Sequence, residues 1–171
     1  MRPGADPVAV AIALGSNLGD RSRYLTDALS ALAGPLHDIR SSHFFDTEPI
    51  GVGEQPRFLN AAAVGLTTIS AGDLLATLLD IESRFGRERP HAGAARTLDL
   101  DLILYGSAVI AEPGLVVPHP RFRERRFVLE PLAEVAAEWV DPVTGKTVAE
   151  LLRSVDGGEW MVANPPSTTD E

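Results

Sequence analysis

The sequence predicts an α+β fold, a sandwich in which an antiparallel sheet is covered by helices, within a single domain. Segments with strand and helix patterns follow one another in the order strand, helix, strand, strand, helix, strand. A chain of 171 residues is most economically one domain, which buries roughly 70% of its unfolded surface. No internal repeat is visible, so an array of repeated units is not expected.

The first half of the chain is predicted to supply three strands and two helices. Apolar runs rich in β-branched or alternating residues indicate the strands, and apolar residues at helical spacing indicate the helices. In order, we expect a strand at residues 8–14, a helix capped by Asp20 and ended by Gly34-Pro35, a strand at 36–45, a long loop at 46–56 that is rich in proline and glycine, a strand at 58–68, and a helix capped by Ser70 that ends at Gly86.

The second half begins with residues 87–95, which lack periodicity and are expected to form a flexible connection. In order, we then expect a strand within residues 95–105, a short strand at 108–110, an extended segment at 116–120, a helix from Glu124 interrupted at Pro131, a short helix at 148–155, and a polar tail from Asn164. The domain is expected to span residues 8–160, with terminal tails at 1–7 and 161–171.

The strand within residues 95–105 carries two aspartates, Asp99 and Asp101, which share a face because side chains alternate along a strand. Two ionised carboxylates roughly 6.5–7 Å apart repel each other. Bound Mg²⁺, which is usually held by one or two carboxylates and substrate phosphates, would compensate. Arg96 adds a guanidinium suited to phosphate. Taken alone, such a pair is more often the exposed face of an ordinary strand. The opposite face is expected to carry Leu98, Leu100, Leu102 and Leu104.

Composition restricts the classes of function. The chain has no cysteine, which excludes a disulfide scaffold and a thiolate metal site. A net charge of -9 argues against a general nucleic-acid binder. No apolar run is long enough to cross a membrane, and residues 1–7 lack a signal region, so we expect a cytoplasmic protein. Eight of the fourteen arginines flank the aspartate strand, at 84–96 and 121–126, which suggests a small polyphosphate ligand.

Several short motifs, each weak alone, occur in a specific order between about residues 9 and 152. They are Ala13-Leu14-Gly15-Ser16-Asn17-Leu18-Gly19, Phe58-Leu59-Asn60-Ala61-Ala62, Arg96-Thr97-Leu98-Asp99-Leu100-Asp101, Val117-Pro118-His119-Pro120 and Arg125-Arg126-Phe127-Val128-Leu129. Together they resemble the family of 6-hydroxymethyl-7,8-dihydropterin pyrophosphokinases of folate biosynthesis. The resemblance implies a ferredoxin-like α/β sandwich that transfers a diphosphoryl group from ATP to the hydroxymethyl group of the pterin and releases AMP.

The resemblance also implies roles for individual residues. Asp99 and Asp101 would hold two Mg²⁺ ions against the triphosphate, and Arg87 and Arg96 would assist the transfer. Phe58 and Phe127 would stack on the two faces of the pterin. The other expected contacts are Glu82, Arg89, Leu102, His119 and Arg125 for ATP, and Thr47, Glu48, Ile50 and Asn60 for the pterin.

The chain departs from the family motif at one segment, and two alternative functions were considered beside the family's. Ala92-Gly93-Ala94-Ala95 stands where many members carry an Arg-Trp-Gly-Pro run, so no aromatic lid is expected. A non-catalytic module that binds pterin or nucleotide would not need the aspartate pair together with Arg96 and His119. Another metal-dependent transferase with an Asp-x-Asp pair would not require aromatic residues and an amide suited to a pterin. We expect a monomer whose partners are the two small substrates.

Overall fold

The computed structural model describes residues 6–17, 19–47, 58–86, 98–155 and 161–164. The main sheet has six strands in antiparallel pairs. In chain order the strands of the molecule are β1 (Val8–Ser16), β2 (His37–Ser41), β3 (Phe44–Thr47), β4 (Phe58–Thr67), β5 (Asp99–Tyr105), β6 (Ile110–Glu112), β7 (Leu115–Val117) and β8 (Met161–Asn164). The helices are α1 (Arg21–Ala31), α2 (Ala71–Gly86), α3 (Arg126–Ala136) and α4 (Val148–Ser154). Strands β6 and β7 form a separate hairpin.

The strand order is β5-β1-β4-β3-β8, and β2 also pairs with β4. Since β1 occupies one side of β4, β2 and β3 lie one after the other along its other side. With α1 after β1 and α2 after β4, this is the ferredoxin-like arrangement. The predicted fold class is therefore confirmed. No helix in the described ranges is long and apolar enough to cross a membrane.

Helices cover both faces of the sheet, and the sheet separates two hydrophobic cores. One core joins α1 and α2 to the sheet and includes Val10, Ile12, Leu14, Leu25, Leu74 and Leu78. The other joins α3 and α4 to the opposite face and includes Ala11, Ala62, Val64, Leu129, Leu132 and Leu151. Because successive side chains of β1 alternate between faces, its large residues fill the first core and its alanines face the second.

The strand expected at residues 36–45 is two strands, β2 and β3, separated by Ser42 and His43. The Ser42 side-chain oxygen accepts a hydrogen bond from the Ala62 N–H at 2.9 Å, and the Ser42 N–H donates to the Ala62 oxygen at 2.8 Å. The His43 N–H turns away and donates to Glu134 of α3 at 2.8 Å. The prediction of one continuous strand was wrong because a serine hydroxyl replaces a backbone carbonyl in the ladder.

The register between β1 and β5 shifts by one residue. Leu102 lies opposite Ile12, whereas Leu104 lies opposite Ala11, so Ile103 is the extra residue of a bulge. Beyond the bulge, Leu104 joins Ile103 in the core under α3 and α4. Leu98, Leu100 and Leu102 lie in the core under α1 and α2. Placing Leu104 with the other three leucines was therefore wrong.

Helix α3 continues through Pro131, where an interruption was expected. Pro131 is buried, and Val128, Leu129, Leu132 and Ala136 on the same helix are buried with it. Proline removes one hydrogen bond from a helix interior, but packing of the apolar face supplies most helical stability in proteins. The prediction of a break was wrong because this packing outweighs the lost hydrogen bond.

The predicted helix starts agree well with the structure, and the sheet extends further than expected. Asp20 accepts a hydrogen bond from the Arg23 N–H, and Ser70 accepts one from the Asp73 N–H, as expected of N-caps. The short strand expected at residues 108–110 begins at Ile110. Residues Met161–Asn164, assigned from the sequence to the C-terminal tail, form β8 and pair with β3.

A buried ion pair fastens the short 3-10 helix Phe122–Glu124 to the segment before α4. Asp141 is fully buried, and Arg123 donates two hydrogen bonds to its carboxylate. The Val143 N–H and the Thr144 hydroxyl donate to the same carboxylate at 3.0 and 2.8 Å. Burial opposes ionisation of Asp141, but the hydrogen bonds from Arg123, Thr144 and Val143 outweigh it and lower the pKa below the ordinary 3.8.

We predict that Asp141→Asn lowers the free energy of unfolding at pH 7 by about 3–5 kcal/mol, because it leaves a largely buried guanidinium without its carboxylate. Urea unfolding measures this change. A lowered pKa stabilises the fold above the ordinary value, and this contribution is lost as pH falls through the folded pKa. The difference between the two proteins should therefore shrink in acid.

The matched control is Glu124→Gln, which removes an exposed ion pair with Arg121 at 3.9 Å. Such a pair contributes about 0–1 kcal/mol, so the control should remain close to the wild type. Equal losses in the two variants would contradict the assignment of Asp141 as a buried anchor.

Candidate active site

Polar side chains of β4 and β5 lie on either side of β1, in one row across the sheet. Gly15 of β1 lies opposite Asn60 of β4 on one side and opposite Asp99 of β5 on the other. Asp101 lies opposite Ala13, one same-face position further along. Directly opposite residues share a face, so all three polar side chains lie on the side that α3 and α4 cover. The two aspartates share this face, as predicted from their spacing.

Gly15 is the central residue of this row, and its lack of a side chain leaves room for the Asn60 amide. A Cβ at residue 15 would lie 3.0 Å from Asn60 Oδ1 and 3.7 Å from Phe58 Cδ1. The Asn60 side chain is buried, so it could not easily move away from an added methyl group. Gly15 was predicted only as part of a motif, and its role in the shape of the site was missed.

The two predicted aromatic residues lie on the same side of the sheet. Phe58 is two residues from Asn60 on β4 and is half-buried. Phe127, in the first turn of α3, is also half-buried and packs against the core under α3 and α4. The Arg125 guanidinium carbon lies 5.6 Å from the centre of the Phe127 ring, within the range of a cation–π contact. Phe127 therefore contacts the core and an arginine of the site.

His119 lies within electrostatic reach of both Asp101 and Arg125. The His119 N–H donates to the Ile103 oxygen of β5 at 3.0 Å, and its Nδ1 accepts from the Arg121 N–H at 3.1 Å. Nδ1 is therefore an acceptor, which leaves the ring proton on Nε2. Burial lowers the pKa of His119, the charge of Asp101 raises it, and the charges of Arg125 and Arg121 lower it, so that the net direction is downward. These groups thus interact electrostatically at the start of α3.

Two predicted ATP contacts have clear roles within the fold. The Glu82 carboxylate, on α2, accepts a hydrogen bond from the Leu100 N–H of β5 at 2.6 Å. The Leu102 side chain is buried in the core under α1 and α2, on the face opposite the aspartates. The structure therefore does not bring the Leu102 side chain to the same surface as Asp99, Asp101 and Asn60.

Of the remaining predicted residues, the structure describes the backbone of Thr47. Thr47 lies opposite Phe58 in the pairing of β3 with β4. The predicted residues outside the described ranges are Glu48, Ile50, Arg87, Arg89 and Arg96.

The donor set of this row fits a hard divalent cation. Across the described ranges, no group of three or more His, Cys, Asp or Glu side chains is arranged to hold a metal ion. A zinc or calcium site built only from protein side chains would need more such ligands. Two half-buried carboxylates on one strand face suit Mg²⁺, which keeps several waters and shares its remaining positions with phosphate oxygens.

One known protein family matches most of this chain. Residues 11–137 match the profile of the family described as 7,8-dihydro-6-hydroxymethylpterin-pyrophosphokinase (HPPK). This chain belongs to the HPPK family. The predicted activity, ATP-dependent pyrophosphoryl transfer to hydroxymethyldihydropterin in folate biosynthesis, is the activity of that family and is confirmed.

Some relatives of this chain are of similar length, and others are much longer proteins. The chain is 40% identical over 155 residues to 2-amino-4-hydroxy-6-hydroxymethyldihydropteridine pyrophosphokinase of Synechocystis sp., with 89% of this chain and 79% of the relative covered. It is 35% identical over 151 residues to the folic acid synthesis protein fol1 of Pneumocystis carinii, of which it spans 20%. The rest of that longer protein has no counterpart in this match.

Solved structures of HPPK-DHPS from Plasmodium falciparum have the same fold. The wild-type crystal structure superposes with a TM-score of 0.72 at 13% sequence identity, covering 89% of this chain and 45% of the other. At this identity the likeness concerns the fold, and it agrees with the strand order described above.

We predict that the pKa of His119 in the metal-free protein lies below 6.5, and that Arg125→Gln raises it, because a positive charge beside the ring is removed. Conversely, Asp101→Asn should lower it further. Titration of the ring protons by NMR measures the three values. If both variants moved the pKa in the same direction, the electrostatic arrangement described here would be contradicted.

Proposed function

We propose that the row across β4, β1 and β5 binds the two substrates of the HPPK reaction on its two sides. The Asn60 side, with Phe58, Phe127 and the backbone near Thr47, would bind the pterin. The Asp99 side, with Asp101, His119 and Arg125, would bind ATP. The observation that supports this division is the pairing of Gly15 with both Asn60 and Asp99.

The pterin side has the chemistry that a flat, polar heterocycle requires. An asparagine amide offers a donor and an acceptor, which can pair with the edge of the pterin ring. Two aromatic rings can stack on its faces, and each stacked pair contributes about 0.5–1.5 kcal/mol beyond area burial. Glu48 and Ile50, also assigned to the pterin by resemblance, come shortly after Thr47 in the sequence.

On the ATP side, Asp99 and Asp101 would hold two Mg²⁺ ions, which when bound neutralise the triphosphate and polarise its phosphorus atoms. His119 has a lowered pKa, and its neutral ring can donate from Nε2 to an oxygen of the nucleotide. Arg125 can pair with phosphate as a bidentate donor. We assign Arg89 to the nucleotide, and Arg87 and Arg96 to the transferred group, on the basis of the resemblance.

In the proposed reaction, the hydroxymethyl oxygen of the pterin attacks the β-phosphorus of ATP. The bond between this phosphorus and the oxygen that bridges it to the α-phosphorus breaks, and AMP leaves with that oxygen. The attacking hydroxyl releases its proton to solvent, and the pterin keeps the β- and γ-phosphoryl groups. Such transfer depends mainly on positioning and on positive charge around the phosphates. A cytoplasmic location and a monomeric state stay predictions from the sequence.

We predict that Asp99→Asn and Asp101→Asn each reduce kcat more than tenfold while the protein stays folded, because an amide coordinates Mg²⁺ more weakly than a carboxylate. AMP release at saturating Mg²⁺, with and without the pterin, measures turnover. Asp80→Asn removes an exposed acid on α2, paired only with Arg84 among the contacts described here, and serves as the control. If either aspartate variant keeps more than about a tenth of the wild-type kcat, the loss of transition-state stabilisation is under about 1.4 kcal/mol. That result would refute a metal-binding role for the substituted aspartate.

For Phe127→Ala we predict a loss of pterin affinity of about tenfold or more, because the pterin loses a stacking face and buried area. Nucleotide affinity should change much less. Calorimetry with each substrate measures both, and Phe127→Tyr, which keeps the ring, is the control. Unchanged pterin affinity in a folded alanine variant would assign Phe127 to the core alone.

A further inference from the structure

Strand β5, which carries the two aspartates, is at the edge of the main sheet and pairs only with β1 within the described residues. Its backbone is nevertheless held on its outer side. The Glu82 carboxylate accepts the Leu100 N–H at 2.6 Å, and Leu100 is the residue between Asp99 and Asp101. A hydrogen bond to an ionised acceptor is short and roughly twice as strong as a neutral one.

A second contact holds the same edge further along. The Ile103 oxygen accepts the His119 N–H at 3.0 Å. The outer edge of β5 is therefore attached to α2 on one side of Asp101 and to the segment after β7 on the other. Unpaired N–H and C=O groups of an edge strand otherwise face solvent, so these two contacts fix the part of the edge that carries the aspartates.

Glu82 reaches β5 from the side opposite the metal-binding face. Helix α2 packs in the core that contains Leu100, whereas the aspartates point toward α3 and α4. The carboxylate therefore holds the backbone between the two aspartates from behind.

We propose that Glu82 is a positioning residue for the Asp99 and Asp101 carboxylates. This inference rests on the proposed function, and it differs from the ATP contact that the family resemblance implies. Mg²⁺ requires nearly ideal octahedral geometry at 2.0–2.1 Å, and a displacement of about 1 Å at a reacting centre can cost 10²-fold in rate. A shift of the Leu100 backbone moves both aspartates together, so the Leu100 hydrogen bond controls how well the pair binds Mg²⁺.

The test compares Glu82→Ala with Glu82→Gln. The glutamine oxygen can accept the Leu100 N–H, whereas alanine cannot. Glu82→Ala should speed hydrogen exchange of the Leu100 amide, raise the Mg²⁺ concentration for half-maximal rate about tenfold, and lower kcat. Glu82→Gln should recover most of each loss. Nucleotide binding in EDTA, measured by calorimetry, should be similar in both variants, and Asp80→Ala on the same helix is the control.

Two results would overturn the proposal. If Glu82→Ala weakened nucleotide binding in EDTA but left Leu100 exchange and the Mg²⁺ requirement unchanged, Glu82 would be a nucleotide ligand. If Glu82→Gln lost as much as Glu82→Ala while Leu100 stayed protected, the charge and not the hydrogen bond would matter. Should the alanine variant fail to fold, the glutamine variant decides alone, since the proposal requires it to keep Leu100 protection and the Mg²⁺ requirement near wild type.

Failure of the proposed function would look different. In that case Asp99→Asn would keep its turnover and its Mg²⁺ requirement, whatever the exchange rate of Leu100 in the Glu82 variants. Hydrogen exchange at Leu100 tests the positioning contact itself, and turnover of the aspartate variants tests the metal site.

Discussion

The register of β1 against its two neighbours is the constraint on which the site depends. With Gly15 opposite both Asn60 and Asp99, the amide and the two carboxylates reach the same surface. A slip of one residue would turn every side chain of β5 to the other face. Asp99 and Asp101 would then enter the leucine core, where burying an unpaired charge costs several kcal/mol. The charges of Asp99 and Asp101 and the burial of the leucines between them therefore favour the same register.

The bulge in β5 lets one strand serve two purposes. Up to Leu102 the strand alternates between acidic and leucine positions, and beyond it Ile103 and Leu104 both pack under α3 and α4. The extra residue also directs the Ile103 oxygen to His119. Bulges commonly redirect side chains next to active sites. Here the bulge separates the part of β5 that carries the two aspartates from the part that packs in the core under α3 and α4.

Local patterns predicted those features that depend on local physics. Alternation gave the common face of Asp99 and Asp101, and capping chemistry gave the starts of α1 and α2 at Asp20 and Ser70. The split at Ser42 was missed because a hydroxyl that replaces a backbone carbonyl leaves no trace in periodicity. The bond from Glu82 to Leu100 joins residues 18 apart. The only local sign of this contact is an acidic residue near the C-terminal end of α2, which is not specific.

Strand β1 contributes only small residues to the face that carries the site: Ala11, Ala13 and then Gly15. The strands on either side carry Phe58 and Asn60 on β4 and Asp99 and Asp101 on β5, and these two strands are roughly 9–10 Å apart because two strand spacings separate them. A ligand bound above β1 would therefore meet mostly backbone. Under the proposed function, recognition of the acceptor and binding of the phosphate donor would use different strands, with no shared side chain from β1 between them. In such an arrangement the choice of acceptor can change through substitutions on β4 while the acidic residues of β5 stay in place.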